Sequence, residues 1–489
     1  MNLLLHPMCF TTSICKVLLI VMFILSLFPV YATDLQITNT VFDGNPRDER
    51  NPTLTAWITV SWKNAWRNEK NYDAAWIFFK LNAKQEAWSK VHGFVKKTGH
   101  TFIHNYQNNG NNPSFFVPED GMGIMIFPDR KHRGDVSWRI KVELDMSKIT
   151  GISDDLMYVS TQGIEMVYIP QASFYAGEAD TSAQRHAAAF YEYGSNDYYK
   201  VNAESAITIG TLKGNLYYEN SNEPNYKGDM KGPVPAAFPK GYDAFYIMKY
   251  ELTEGIYCSF LNAIGNYYSH PRANFGGKNY NKERGSIYLE DGKYKTKSIN
   301  RPASFLSWDD DCAFADWSGL RPMTELEYEK ACRGPMKPAV ANSFPWGNAS
   351  NENLSRYFND AGDLVLEQPY SEGDLSDTNL EIFGASYYWV MDLNKSLWER
   401  CVSLGNEKGR LFQGTHGDGK LMGYKGTATN EDWPNWYDGK GGISYRGGGY
   451  YLWNMVGSPR GETGHRPYGA WGDGPQDIAY GFRAVRSAR

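Results

Sequence analysis

LTAWITVSW (Leu54 to Trp62) alternates apolar and polar positions with period two, whereas AAWIFFKL (Ala74 to Leu81) is apolar almost without interruption. Alternation predicts a strand with one covered face, and the unbroken run predicts a strand of the buried type. MGIMIFP and VSWRIKVEL add two more strands, separated by Asn, Gly, Asp and Pro clusters. Leu35 to about Val159 therefore reads as an all-β, sandwich-like domain, residues 33–160, with Trp57, Trp62, Trp66 and Trp76 in its core. GISDDLMYVSTQG (Gly151 to Gly163) reads as the connection to a second unit, residues 161–489.

That unit opens with IEMVYIPQASFYAGE (Ile164 to Glu178), a strand meeting a glycine turn. Through about Pro239 the chain is rich in Tyr, Asn and Gly and predicts long loops with short strands. In FYIMKYELTEGIYCSFLNAIG (Phe245 to Gly265) a strand runs into a helix, with Thr253 as N-cap and Ile256, Phe260 and Leu261 on one apolar face. Ser307 starts another helix with Asp309 to Asp311 in its first turn, where the helix dipole favours negative charge, and Gly319 ends it. Thr324 and Glu327 form a capping box for a third helix through Cys332. FPWGN (Phe344 to Asn348) is an aromatic turn.

The first residues change the compartment. Lys16 precedes VLLIVMFILSLF, which ends in PVYATD with Val30 and Ala32 at the small-residue positions of a signal-peptidase site. Residues 1–32 read as a signal peptide, the mature chain beginning near Thr33 with no membrane span after cleavage, in the periplasm, on the cell surface or outside the cell. Lys plus Arg number 50 against 55 Asp plus Glu, and a net charge of −5 gives no electrostatic reason for nucleic-acid binding. Aromatics at 15% and 48 glycines favour a loop-rich, aromatic-packed exported protein. Cys258, Cys312, Cys332 and Cys401 remain after cleavage; two disulfides in any of three pairings, or buried free thiols, are open to them. No CxxC pair or Cys/His zinc spacing occurs.

In order, IEMVYIPQASFYAG, YIMKYELTEGIYCSFLNA, PASFLSWDDDCAFADWSGLRPMTELEYEKACRG, FPWGN, LNKSLWER, YRGGGY and GFRAV resemble the successive signatures of the formylglycine-generating enzyme (sulfatase-modifying factor) family. The likeness runs from Ile164 to Val485, about two thirds of the chain. It implies an α+β, loop-rich variant of the C-type lectin fold. The family's oxidation of a substrate cysteine uses two copper-binding cysteines five residues apart, just after the R-G-G-S-[WY] strand; thiolate is the ligand soft enough to hold Cu(I). Aligned on Arg446, Gly447 and Gly448, those positions fall on Leu452 and Gly457, and no cysteine follows Cys401. No copper is expected, nor is the His-x-x-x-His-x-Glu arrangement of iron-using relatives present. The resemblance also implies structural calcium, held by Asn353, the Leu354 carbonyl and Asp363 at one site and by Asp392 and Glu399 with nearby carbonyls at another.

Three readings follow. In the first, a non-catalytic protein binds a glycan, a peptide or an envelope protein through a lectin-like surface made by Tyr451, Trp453, Asn454, Arg460 and Trp471, with Tyr450 turned into the core; rigid aromatics mixed with Asn and Arg suit a binding surface. In the second, the chain is a structural component of an envelope secretion or gliding assembly. In the third, it is a metal-dependent oxidase with an unrecognised site.

Overall fold

The computed structural model describes residues 34–45, 52–83, 91–149, 157–221, 228–275, 285–359, 363–367, 370–434, 441–449, 461–470 and 476–489. Its first third is built from β1 (Gln36–Asn45), β2 (Thr53–Arg67), β3 (Asp73–Ala83), β4 (Val91–Gly93), β5 (Thr101–Asn105), β6 (Pro113–Phe116), β7 (Ile124–Pro128), β8 (His132–Asp145) and β9 (Met157–Ile169). One antiparallel sheet has the order β1-β2-β8-β5. The alternation of LTAWITVSW is its pleat: Leu54, Ala56, Ile58, Val60 and Trp62 are all buried.

β3 explains the continuous apolar run. Ala75, Ile77, Phe79 and Leu81 pack with Ile58, Val60, Trp138 and Ile140 of the first sheet. Trp76 and Phe78 point the other way, into a larger cluster with Phe260, Phe314 and Trp317. Both faces are covered, so no position needs to be polar for solvent.

The second sheet does not stop at residue 160. β9 pairs with β3 along Met157 to Val167 and, on its other edge, with Phe245–Met248. That strand pairs with Ala484–Ser487, which pairs with Arg321–Pro322. One eight-stranded sheet thus joins β3, β4, β6, β7 and β9 to three strands of the later chain. The segment Met157 to Gly163, expected as part of a connection, is strand; the expected boundary at 160/161 falls inside β9. Ser160, Thr161 and Gln162 make it look like a loop, yet flanking strands bury Thr161 and Gln162, a long-range effect that local polarity does not reveal.

The helices begin where their caps predict. Thr253 accepts the Ile256 N–H at 3.3 Å at the start of Glu254–Arg272. Ser307 with Asp310, and Thr324 with Glu327, form reciprocal capping boxes for Trp308–Trp317 and Glu325–Arg333. The acidic run also binds arginines: Asp309 and Asp310 face Arg272 at 3.2 and 2.9 Å, and Asp311 faces Arg400 at 2.9 Å. Among the described residues no helix is long and apolar enough to cross a membrane.

Candidate functional site

The tract after Arg446 leaves a small three-stranded sheet. Trp398–Val402 runs antiparallel to Ile443–Arg446, with Glu399 opposite Arg446, and parallel to Tyr480–Gly481. Arg446 is fully buried. Its guanidinium donates to Glu325 at 3.3 Å, to Glu329, and to the Thr463 carbonyl at 3.0 Å. Arg466 closes on the same Glu325 with two bonds of 2.6 and 2.9 Å. One buried carboxylate in the first turn of Glu325–Arg333 therefore holds the chain on both sides of residues 450–460. Arg333 extends the set, pairing with Glu178 and lying 3.7 Å from Glu329. Three carboxylates meet three arginines, and bidentate guanidinium geometry fixes their positions as well as their charge.

Gly447 and Gly448 have φ of 89° and 73°, a left-handed turn that side chains resist. A Cβ on Gly447 would stand 2.9 Å from the Leu393 carbonyl oxygen. The turn lets the Lys395 N–H donate to the Gly447 carbonyl at 2.8 Å. Two of the three glycines of RGGGY thus have a backbone reason. Tyr450, Tyr451, Trp453, Asn454, Arg460 and Trp471, expected to form the ligand surface, lie outside the described residues, as do Leu452 and Gly457.

The calcium expectation meets arginines. The Asp392 carboxylate is gripped by Arg356 through two bonds, one of 3.0 Å. Glu399, fully buried, receives two bonds of 2.9 and 2.8 Å from Arg483. Arg483 spends its other donors on the carbonyls of Met248, Lys249 and Met391 at 2.8 to 2.9 Å, so all five of its N–H groups are used. At the other expected site, Asn353 is exposed, with its N–H on Glu381 at 3.1 Å, Leu354 is half-buried, and Asp363 takes a 3.3 Å bond from Arg301. Among the described residues no three His, Cys, Asp or Glu side chains are grouped to hold a metal. These carboxylates as placed do not fit an oxygen cage for calcium, because guanidinium groups already occupy the anionic oxygens of Asp392 and Glu399. The sequence contained the signal, Arg483 in GFRAV and Arg356 in LSRYF, but not the pairing.

Around them lies a carboxylate-rich interior. Lys249 pairs with Glu165 at 3.2 Å and Asp73 at 3.5 Å, and Arg356 also reaches Glu372 at 3.2 Å. Among the described residues, Glu251, 1% exposed, accepts from neutral donors alone, the Ser396 hydroxyl and the Leu397 N–H at 3.1 Å. Burial, reinforced by neighbouring Glu399, pushes its carboxyl well above the usual range. Glu251, Glu372, Asp392 and Arg356 line a cavity of about 250 Å³.

All four described cysteines are buried and free, which leaves none of the three disulfide pairings. Burial raises the Cys258 and Cys332 thiols to about 12 and those of Cys312 and Cys401 well above their ordinary value. None is available as a thiolate near neutral pH. Of the histidines, His92 is buried between Lys80 and the Met122 carbonyl and stacks on Phe78, a packing role.

Residues 196–488 match the Sulfatase-modifying factor enzyme 1-like domain. Formylglycine-generating enzyme of Mus musculus is 29% identical over 101 residues, 20% of this chain and 26% of its own length. The enzyme of the same name from Thermomonospora curvata is 29% identical over 112 residues, 23% of this chain and 36% of its length. Inactive C-alpha-formylglycine-generating enzyme 2 of Mus musculus is 26% identical over 114 residues, covering 22% and 33%. The aligned stretches thus span about a quarter to a third of these relatives.

Proposed function

Because this chain belongs to the sulfatase-modifying factor enzyme family, with residues 196–488 matching its domain, we propose that it is an exported, non-catalytic member that binds a ligand or protein partner through its C-terminal surface. The observation that carries the reading is the fate of its thiols. No cysteine follows Cys401, the positions aligned with the family's copper ligands are Leu452 and Gly457, and the four described thiols are buried and protonated. Oxidising a substrate cysteine through copper needs accessible thiolate at the site, and these residues supply none. The name of one relative, an inactive formylglycine-generating enzyme, is consistent with a family that keeps the fold without the chemistry.

In this reading the loop after the Gly447–Gly448 turn displays Tyr451, Trp453, Asn454 and Arg460, with Trp471 beyond, from a lectin-like domain. The Glu325 clamp gives that loop a rigid base whatever its side chains, which suits a binding surface whose contacts change while the fold does not. A second reading, a structural module of an envelope assembly, gains support from the eight-stranded sheet, which makes the N-terminal strands and the family domain one hydrogen-bonded body.

The test is chemical. The mature protein, incubated with copper, oxygen and a peptide of the pattern Cys-x-Pro-x-Arg, is expected to leave the thiol mass unchanged in mass spectrometry. A copper-dependent conversion of that cysteine to the aldehyde sinks the non-catalytic reading.

A further inference from the structure

A second cavity, of about 430 Å³, opens where the loop before β7 meets the strand Ala484–Ser487. Its guanidinium groups are already matched on its own walls. Arg321 donates to Glu327 through two bonds of 2.8 and 2.6 Å, Arg486 pairs with Asp120, and Arg489 pairs with Asp243. Glu204 accepts the Lys240 and Asp243 N–H groups at 2.7 and 3.0 Å, one on each oxygen. His416 accepts the Ser487 N–H on Nε2 at 3.0 Å, which keeps the ring proton on Nδ1 as a donor. Burial and the nearby Arg486 and Arg321 hold that imidazole well below its ordinary pKa, so it stays neutral near pH 7. Glu119 and Gln413, both exposed, add side chains with no partner among the described residues. The segment that carries Gln413 and His416 is held in place. Asp432 accepts the Gln413 and Thr415 N–H groups at 2.9 and 3.3 Å, and Gly414, at φ 73°, lies so near Pro239 that a Cβ would stand 2.5 Å from its ring.

We propose that this cavity binds a neutral sugar residue, a hexose or an N-acetylhexosamine, through its ring hydroxyls. The site stands apart from the C-terminal surface proposed above. An ion gains little here: an anion must displace a carboxylate from its guanidinium, and a cation must draw Glu204 from its two N–H groups. A hydroxyl donates and accepts at once and needs neither change. The carboxylates accept from it without leaving their arginines, because each oxygen has a second lone pair, while the Gln413 amide and the His416 Nδ1–H donate. Ala236, Ala237 and Pro239 supply apolar contact for the C–H face of the ring. The volume falls within the range of about 300–1,000 Å³ common to small-molecule sites, and walls of charged and amide groups favour a hydroxylated ligand over an apolar one.

The experiment titrates the mature protein with glucose, galactose, mannose and N-acetylglucosamine in turn, followed by calorimetry and saturation-transfer NMR. At least one should bind saturably with a Kd of about 1 mM. Ala237→Trp, at an exposed lining residue, should fill the cavity and abolish the binding while Tm stays within about 1 °C. Glu119→Ala combined with Gln413→Ala removes two hydrogen-bonding groups and should raise Kd about tenfold. Trp453→Ala, at the C-terminal surface, should leave Kd unchanged and so separates the two sites. Absence of saturable binding by any of the four sugars overturns the proposal, as does binding that survives Ala237→Trp or is lost in Trp453→Ala. Tighter binding of inorganic phosphate or of spermidine that Ala237→Trp abolishes also overturns it, because the cavity would then be an ion site.

Discussion

Two buried charge networks, one under the C-terminal tract and one around the 250 Å³ cavity, are built from the same residue types and differ in balance. Under the tract, Glu178, Glu325 and Glu329 meet Arg333, Arg446 and Arg466, three against three. Around the cavity, Asp34, Asp73, Glu165, Glu251, Glu372, Asp392 and Glu399 outnumber Lys249, Arg356 and Arg483, and among the described residues Glu251 is bonded by neutral donors alone. A balanced network is a fixed scaffold: every charge is committed, and deleting one strands its partner. In an unbalanced one, burial and neighbouring carboxylates oppose ionisation of the surplus carboxyl. The first suits the base of a binding surface, and the second makes stability depend on pH.

The largest effect should come from breaking the balanced set. Glu325→Ala leaves Arg446 and Arg466 buried without their shared carboxylate and should cost about 3–5 kcal/mol in urea unfolding, or give an insoluble product. A loss under about 1 kcal/mol would mean that the clamp is not holding the tract.

In the unbalanced set the matching substitution should be nearly harmless. Below about pH 4.5, where the carboxyl is protonated folded or unfolded, Glu251→Gln should change stability by less than about 1 kcal/mol. The wild-type carboxyl has its folded value raised well above 4.5, so its contribution is present below about pH 4.5 and is lost as pH rises through the folded value. The glutamine variant should therefore gain on the wild type as pH rises. A stability difference that does not change with pH would erase the distinction between the networks.

The smallest effect concerns calcium. Since guanidinium groups fill the Asp392 and Glu399 oxygens, a calcium titration of the mature protein should shift Tm by less than about 1 °C. A rise that Asp392→Ala abolishes would show that Arg356 yields its place to an ion.

Strand alternation in β2, the doubly buried run of β3 and the caps at Thr253, Ser307 and Thr324 were legible because each depends on residues within a few positions of one another, whereas Gly447 and Gly448, which read as a continuation of the strand, form a left-handed turn. Periodicity and capping are local geometry, and the ordered motifs from Ile164 to Val485 placed the family. Sequence distance hid the rest. Glu399 finds Arg483 across 84 positions, Asp392 finds Arg356 across 36, and Asp34 finds Glu165 across 131. Which carboxylate receives a guanidinium, which remains unpaired, and whether β9 ends one sheet or continues another depend on how the chain closes in space. A buried charge is stabilised only by the partner that folding brings within about 3 Å of it, so the partner is a property of the tertiary structure. The sequence determined where β2, β3 and the capped helices begin; the packed interior decided how far β9 extends and which charges these elements share.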